Sequence, residues 1–183
     1  MNSTSDITRI ASQVEAPSLP PLEKWNPPFS GDLDMRIARD GTWYYLGSAI
    51  KRPALVKLFS TILLREGDDY FLITPVEKYR IKVDDAPFIA VQAVKQKSES
   101  GAVWQFETNT GDAVVLDQEH PMRVSVNPKT GEPSPYILVR KNLEALISRS
   151  VFYHLVDVAE LDEEKGNELY IESAGSRFIL GQY

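Results

Sequence analysis

With 183 residues, no cysteine and a formal net charge of −6, the chain offers no thiol chemistry, disulfide or thiolate metal site, and no long-range attraction to nucleic acid or anionic lipid. It is long enough for one large or two small domains with a core that needs no staples. No apolar run approaches the ~20 residues a membrane-spanning helix requires, and the start Met1-Asn2-Ser3-Thr4 has no basic and apolar leader, so a cytoplasmic protein is expected.

Residues 1–24 read as a flexible N-terminal arm. Ile7, Ile10 and Val14 fit one or two turns of amphipathic helix. Pro17, Pro20, Pro21, Pro27 and Pro28 then favour extended backbone, and Trp25 is placed to pin the arm to the body.

A first unit spans 25–87. Met35 and Ile37 suit a strand that turns at Asp40-Gly41 into the aromatic stretch Trp43-Tyr44-Tyr45-Leu46. Gly47-Ser48 breaks that strand, and Pro53 suits a first helical position, where its missing N–H costs nothing. Leu55, Leu58, Phe59 and Ile62 follow at helical spacing. Tyr70–Ile73 is a short apolar strand, and Tyr79, Ile81 and Val83 alternate with Arg80 and Lys82 as in a strand with one wet face.

A second unit spans 88–183. Strands over 88–94, 103–108, 113–116 and 122–126 are joined by turn chemistry at Ser100-Gly101, Asn109–Asp112 and Pro128–Gly131, which predicts an antiparallel meander; 136–139 is a further strand. Asn142 is the expected N-cap of one helix, or two abutting, that follows Leu143, Leu146, Ile147, Val151, Leu155 and Val158 to Glu160. A solvated loop over 162–167 leads to a last hairpin turned at Ala174-Gly175.

The two units echo each other. Ile50-Lys51-Arg52 aligns with Ile147-Ser148-Arg149 at a separation of 97 residues, and Lys78-Tyr79 aligns with Arg177-Phe178 at 99. A two-residue insertion in a loop accounts for the drift. The expected fold class is therefore α+β: two related units, each a mainly antiparallel sheet with a packed helix. Packing of such repeats about a pseudo-twofold axis would place a cleft between them, with Arg52 and Arg149 facing each other at the starts of their helices, where backbone N–H groups favour an anion. The alternative is that each arginine pairs with a neighbouring carboxylate such as Glu77 or Asp157.

Trp43, Tyr44, Tyr45 and Tyr79 lie close in sequence to Arg52 and Lys78, the combination on which a base stacks while cations meet its phosphate; a half-buried sheet accounts for the same residues. Glu77 and Lys78 stand on a connection able to line a cleft edge. His120 lies three residues from Asp117, a spacing that fits a metal or acid–base pair and equally a hydrogen-bonded turn. Asp112, Asp117, Glu119 and His120 together form the one candidate oxygen–nitrogen metal set of a hydrolase or transferase. His154 reads as packing, and Asp84 and Asp85, consecutive in a strand, point to opposite faces. No phosphate-loop, dinucleotide, serine-elbow or zinc-helix motif is present in the sequence.

Several of these segments resemble the bacterial family known as domain of unknown function 1285. They are Arg39–Ser48 with Ile50-Lys51-Arg52 and Leu55–Phe59, Ile73–Lys78 with Val83–Phe88, Thr108–Asp112 with His120-Pro121, and Pro135-Tyr136 with Val139-Arg140. The resemblance covers the chain from Trp25 onward. It implies a duplicated core whose C-terminal part superficially resembles a pleckstrin-homology fold, and a nucleotide-like ligand between the units in a signalling role. It implies no reaction.

The expected function is thus a ligand-binding module without catalytic signature or cofactor. A small anionic ligand would be held by Arg52, Arg149, Lys78 or Arg140 and stacked on Trp43 or Tyr45, with Glu77 and His120 at the rim. The alternatives are the metal-assisted enzyme and a protein–protein adaptor that uses sheet edges and the proline-rich arm. Neither nucleic acid nor membrane is expected as a partner.

Overall fold

A computed structural model describes residues 3–14, 18–99 and 101–183. Met1, Asn2, Pro17 and Ser100, which figured in the leader, arm and turn readings above, lie outside the described residues. The chain divides into two compact units, Met1–Asp85 and Ala86–Tyr183.

In the first unit, α1 (Ser3–Ser12) precedes β1 (Phe29–Ile37), β2 (Trp43–Tyr45), β3 (Ser48–Ala49), α2 (Pro53–Thr61), β4 (Leu63–Glu66), β5 (Asp69–Ile73) and β6 (Lys78–Val83). The sheet runs β3-β2-β1-β6-β5-β4; every neighbouring pair is antiparallel except β1 with β6, which is parallel. Strand alternation decides what faces where. Met35 and Ile37 of β1 and Ile81 of β6 are buried, whereas Asp32, Asp34, Arg36, Arg80 and Lys82 are exposed, so the sheet has one wet face as its pattern predicts. Phe59 of α2 stacks on Trp43, with ring centroids 6.4 Å apart and planes at 24°.

The described part of the N-terminal stretch includes a helix. α1 packs beside α2, with Ile10 buried, and Arg9 bonds to Glu77 and to the Tyr79 hydroxyl (3.1 Å). The β2–β3 turn uses positive φ at Leu46 and Gly47, the conformation that lets two strands twist together across two residues. β4 had no place in the sequence reading. Leu63 and Leu64 continue the apolar stripe of α2, and only pairing with Leu72 and Phe71 of β5 makes them a strand.

The second unit comprises β7 (Phe88–Ser98), β8 (Gly101–Thr108), β9 (Ala113–Val115), β10 (Met122–Val126), β11 (Pro133–Arg140), β12 (Leu143–Ile147), α3 (Arg149–Asp157), β13 (Glu160–Asp162), β14 (Glu168–Ser173) and β15 (Ser176–Gln182). Two expectations are corrected here. The meander is not continuous: β9 and β10 lie at opposite edges of a sheet ordered β10-β11-β12-β7-β8-β9, and β12 pairs in parallel with β7. Nor does a helix start at Asn142. Lys141, with φ of 51°, turns the chain into β12, where Leu143, Ala145 and Ile147 are buried and alternate with half-buried Glu144 and Leu146. Leu-Glu-Ala-Leu-Ile has strong helix propensity, but pairing on both sides overrides it. The helix begins at Arg149, capped by Ser148, whose hydroxyl accepts the Val151 N–H.

The duplication is visible as topology. β1-β2-β3-α2-β4-β5-β6 is repeated as β10-β11-β12-α3-β13-β14-β15, each three-strand set antiparallel. The last hairpin turns at Ala174-Gly175, both at positive φ, as read from sequence. The repeats differ in one ladder. β1 and β6 are hydrogen-bonded, whereas their counterparts β10 and β15 approach within 8 Å but share no ladder.

Unit 2 closes instead through Ser173. This fully buried residue donates to the Leu116 carbonyl (2.6 Å) and accepts the Trp104 N–H (2.8 Å), tying β14 to β8. A buried N–H and carbonyl left unmatched lose their water partners without replacement. Ser173→Ala is expected to lower the free energy of unfolding measured in urea by about 1–3 kcal/mol, the usual cost of orphaned buried polar groups. A smaller loss would mean that the strands close without this bridge.

Candidate functional site

The residues expected to hold a ligand are mostly engaged in other contacts. In unit 1, Trp43 is 1% exposed and belongs to the core, so it offers no stacking face to a ligand. Its indole N–H has no hydrogen-bond partner, and the ring is held by burial in the core, stacked on Phe59. Lys78 places its Nζ 2.8 Å from both Glu66 carboxylate oxygens and 4.6 Å from the Phe71 ring centroid. Glu77 accepts from Tyr79 (3.2 Å), Gln13 (3.3 Å) and Arg9, and so serves to dock α1. Burial pushes the Tyr79 phenol above its ordinary pKa, and the Glu77 charge adds to the rise. Tyr45 is pushed up for the same first reason, with Asp6 and Asp34 contributing. Arg52 is exposed at the N-cap position of α2, its carbonyl accepting the Leu55 and Val56 N–H groups.

In unit 2, Arg149 starts α3 as predicted but is paired with Glu132, not with Asp157. Arg140 is paired with Asp112 at 2.5 Å and lies 4.9 Å from the Phe88 ring centroid. Asp112 also accepts from Thr110 (2.8 Å) and Thr108 (3.2 Å), both buried, so the Thr108–Asp112 turn is a polar knot beneath Arg140. Asp117 caps its own turn, accepting the N–H groups of Glu119 (2.9 Å) and His120 (2.8 Å) and lying 3.0 Å from His120 Nδ1. The proposed set Asp112, Asp117, Glu119 and His120 therefore does not converge. Among the described residues no three His, Asp or Glu side chains gather as metal ligands. Asp84 and Asp85 follow the end of β6 and are not in a strand; they pair with Arg36 (2.7 Å) and Arg39 (3.3 Å) respectively. Among the described residues no helix is long and apolar enough to cross a membrane.

Two hollows lie within single units. That of unit 1, about 970 Å³, runs over the wet sheet face and is lined by five aspartates against Arg36, Arg80 and Lys82. Arg80 bonds Asp32 through Nε (2.7 Å) and Nη2 (3.2 Å), holding that carboxyl below its usual pKa. The charge here is internally balanced or acidic, which does not suit an anion.

The hollow of unit 2, about 900 Å³, opens at the β10–β15 seam. Met122, Val124, Phe178, Leu180 and, from α3, Phe152 and Val156 supply apolar surface; Arg123 and Arg177 are its charged side chains, and no Asp or Glu is among its described lining residues. Alternation puts the two arginines on the opposite strand face from Met122, Val124, Phe178 and Leu180. They therefore stand at the outer rim, each over a ring: Arg123 is 4.2 Å from the Tyr136 centroid and Arg177 is 4.1 Å from Tyr170. Sequence reasoning missed this site because neither arginine carries a motif. The available signal was Phe178 and Leu180 alternating with Arg177 in the last hairpin.

Comparison with known proteins agrees with this architecture. Residues 20–86 match the family described as domain of unknown function (DUF1285), N-terminal domain, and residues 87–180 match its C-terminal domain. The crystal structure of a DUF1285 family protein from Silicibacter pomeroyi DSS-3 is 47% identical, covers 96% of this chain and 94% of its own, and superposes with a TM-score of 0.87. A second, from Shewanella baltica OS155, is 28% identical over 68% of this chain and 91% of its own, with a TM-score of 0.55. No curated protein matches the sequence.

The raised phenol of Tyr79 predicts a pH effect. A group whose folded pKa exceeds its unfolded value, near 10.0 here, contributes stability that is fully present below that pH and is lost as pH rises through the folded pKa. In urea unfolding from pH 8 to 11, the gap between the protein and Tyr79→Phe should stay constant to about pH 10 and shift against the unmodified protein above it. A gap that stays flat to pH 11 would rule out the raised pKa.

Proposed function

Starting from the chain's membership of the DUF1285 family, a label that carries no reaction, we propose that it is a binding module for a small ligand with an anionic group and an apolar body. The setting we propose is signalling in the bacterial cytoplasm, as the family resemblance implies. One observation carries the reading: the unit 2 hollow combines an apolar floor with two rim guanidiniums, and no Asp or Glu is among its described lining residues, the carboxylates that pair with those arginines standing outside it. Pockets for small molecules have this make-up, a largely apolar wall with a few placed polar groups, and its volume lies in their usual range. The cations first expected to hold the anion support the reading less well, since Arg149, Arg140 and Lys78 each pair with a carboxylate of the same unit and none of them lines this hollow.

A thermal-shift screen with carboxylates, phosphates and nucleotides tests this. A ligand present at 100 times its Kd adds about 2.7 kcal/mol to stability. At least one anion is expected to give a saturating shift that Arg123→Gln and Arg177→Gln diminish. Absence of any saturating shift across the panel overturns the reading.

A further inference from the structure

The two repeats treat equivalent strands differently, and that difference shapes the hollow. In unit 1, β1 and β6 are joined by a parallel ladder. In unit 2, β10 is five residues long where β1 is nine, and it shares no ladder with β15. Phe152 and Val156 of α3, the first buried and the second half-buried, border the hollow at this seam. Val126 and Ile179, on either side, are 59% and 41% exposed, which leaves apolar surface at the mouth uncovered.

The rim limits how much charge can enter. Arg123 is held bidentately by Glu144 (2.8 and 2.7 Å), and Arg177 by Asp162 (2.8 Å) and Glu172 (3.3 Å). Three carboxylates already surround two guanidiniums, so a phosphate chain would add repulsion. Arg177 uses Nε and Nη1 for these bonds, which leaves its Nη2 group to donate to one more oxygen. Pairs this exposed are weak and exchangeable.

We propose that the seam between β10 and β15 binds an amphiphilic monocarboxylate, its apolar chain lying on α3 through Val156 and its carboxylate held by Arg177 at the rim. This rests on the ligand-binding reading above and narrows it to one chemical class. The single charge matches the Nη2 donors of Arg177, and the chain matches the apolar lining of the seam.

The test titrates the full chain with decanoate, below the concentration at which it forms micelles, and in parallel with decanol and with AMP. Binding is followed by amide chemical shifts. Decanoate is expected to move the resonances of Gly131, Val156 and Gly181 saturably. Arg177→Gln should weaken decanoate at least fivefold while leaving decanol unchanged, and Val156→Trp, which fills the floor, should abolish both. A spectrum as well dispersed as that of the unmodified protein shows that each variant is folded. Equal binding of decanoate and decanol, or decanoate shifts elsewhere in the chain, overturns the proposal. AMP shifting these residues while decanoate does not overturns the monocarboxylate and leaves the broader reading standing. No binding by decanoate, AMP or any anion of the screen overturns both.

Discussion

One parallel strand pair in each unit determines what the remaining elements do. β1 beside β6, and β7 beside β12, join two antiparallel three-strand sets that are otherwise local hairpins. A parallel neighbour cannot be reached by a tight turn, so the chain must travel through the intervening strands and return. In unit 1 that journey carries α2, whose apolar stripe then has a sheet to cover it, with Phe59 against Trp43. In unit 2 the parallel partner of β12 comes from outside the repeat, namely β7. The repeat's own first and last strands, β10 and β15, share no ladder with each other, and closure passes to the Ser173 bridge with β8.

Duplication followed by a change of strand partner is thus the simplest physical account of the asymmetry. The inherited plan puts β10 near β15. The added meander of β7, β8 and β9 gives β12 a new partner, and the ladder at the other end of the repeat becomes dispensable. A hydrogen-bond ladder and an open seam compete for the same strand edge: unit 1 has the ladder, and unit 2 has the open seam. The wet face of unit 1 illustrates the opposite outcome. There β1 and β6 are paired, and the charged side chains on their outer surface satisfy one another, as Arg80 does with Asp32.

How much of this was legible in the sequence follows from the range of the interactions involved. Period-two alternation and turn chemistry are local, so β6, the final hairpin and its Ala174-Gly175 turn could be read directly. The repeat was legible too, because Arg52 and Arg149 mark matching helix starts. β12 was not, because Leu143–Ile147 satisfies a helical stripe and a strand alternation at once, and the partners that decide between them, β11 and β7, are remote. Charge pairing is equally remote. Arg140 meets Asp112 across 28 residues and Lys78 meets Glu66 across 12, so a list of cations near aromatics overstates how many are available to a ligand.

The same point explains why the candidate site moved to residues without a motif. A cation that recognises a ligand needs a donor its own protein has not used, next to surface its own fold has not covered. Arg140 and Lys78 lack the first, since each is largely sequestered with its carboxylate, at 17% and 18% side-chain exposure. Trp43 lacks the second, because α2 covers it. Arg177 meets both conditions for one structural reason: β15 has a neighbour, β10, that stands close enough to wall a hollow but is not bonded to it. The chemistry of the site therefore derives from an unmade backbone ladder, which is a property of strand partnership and not of any short run of residues.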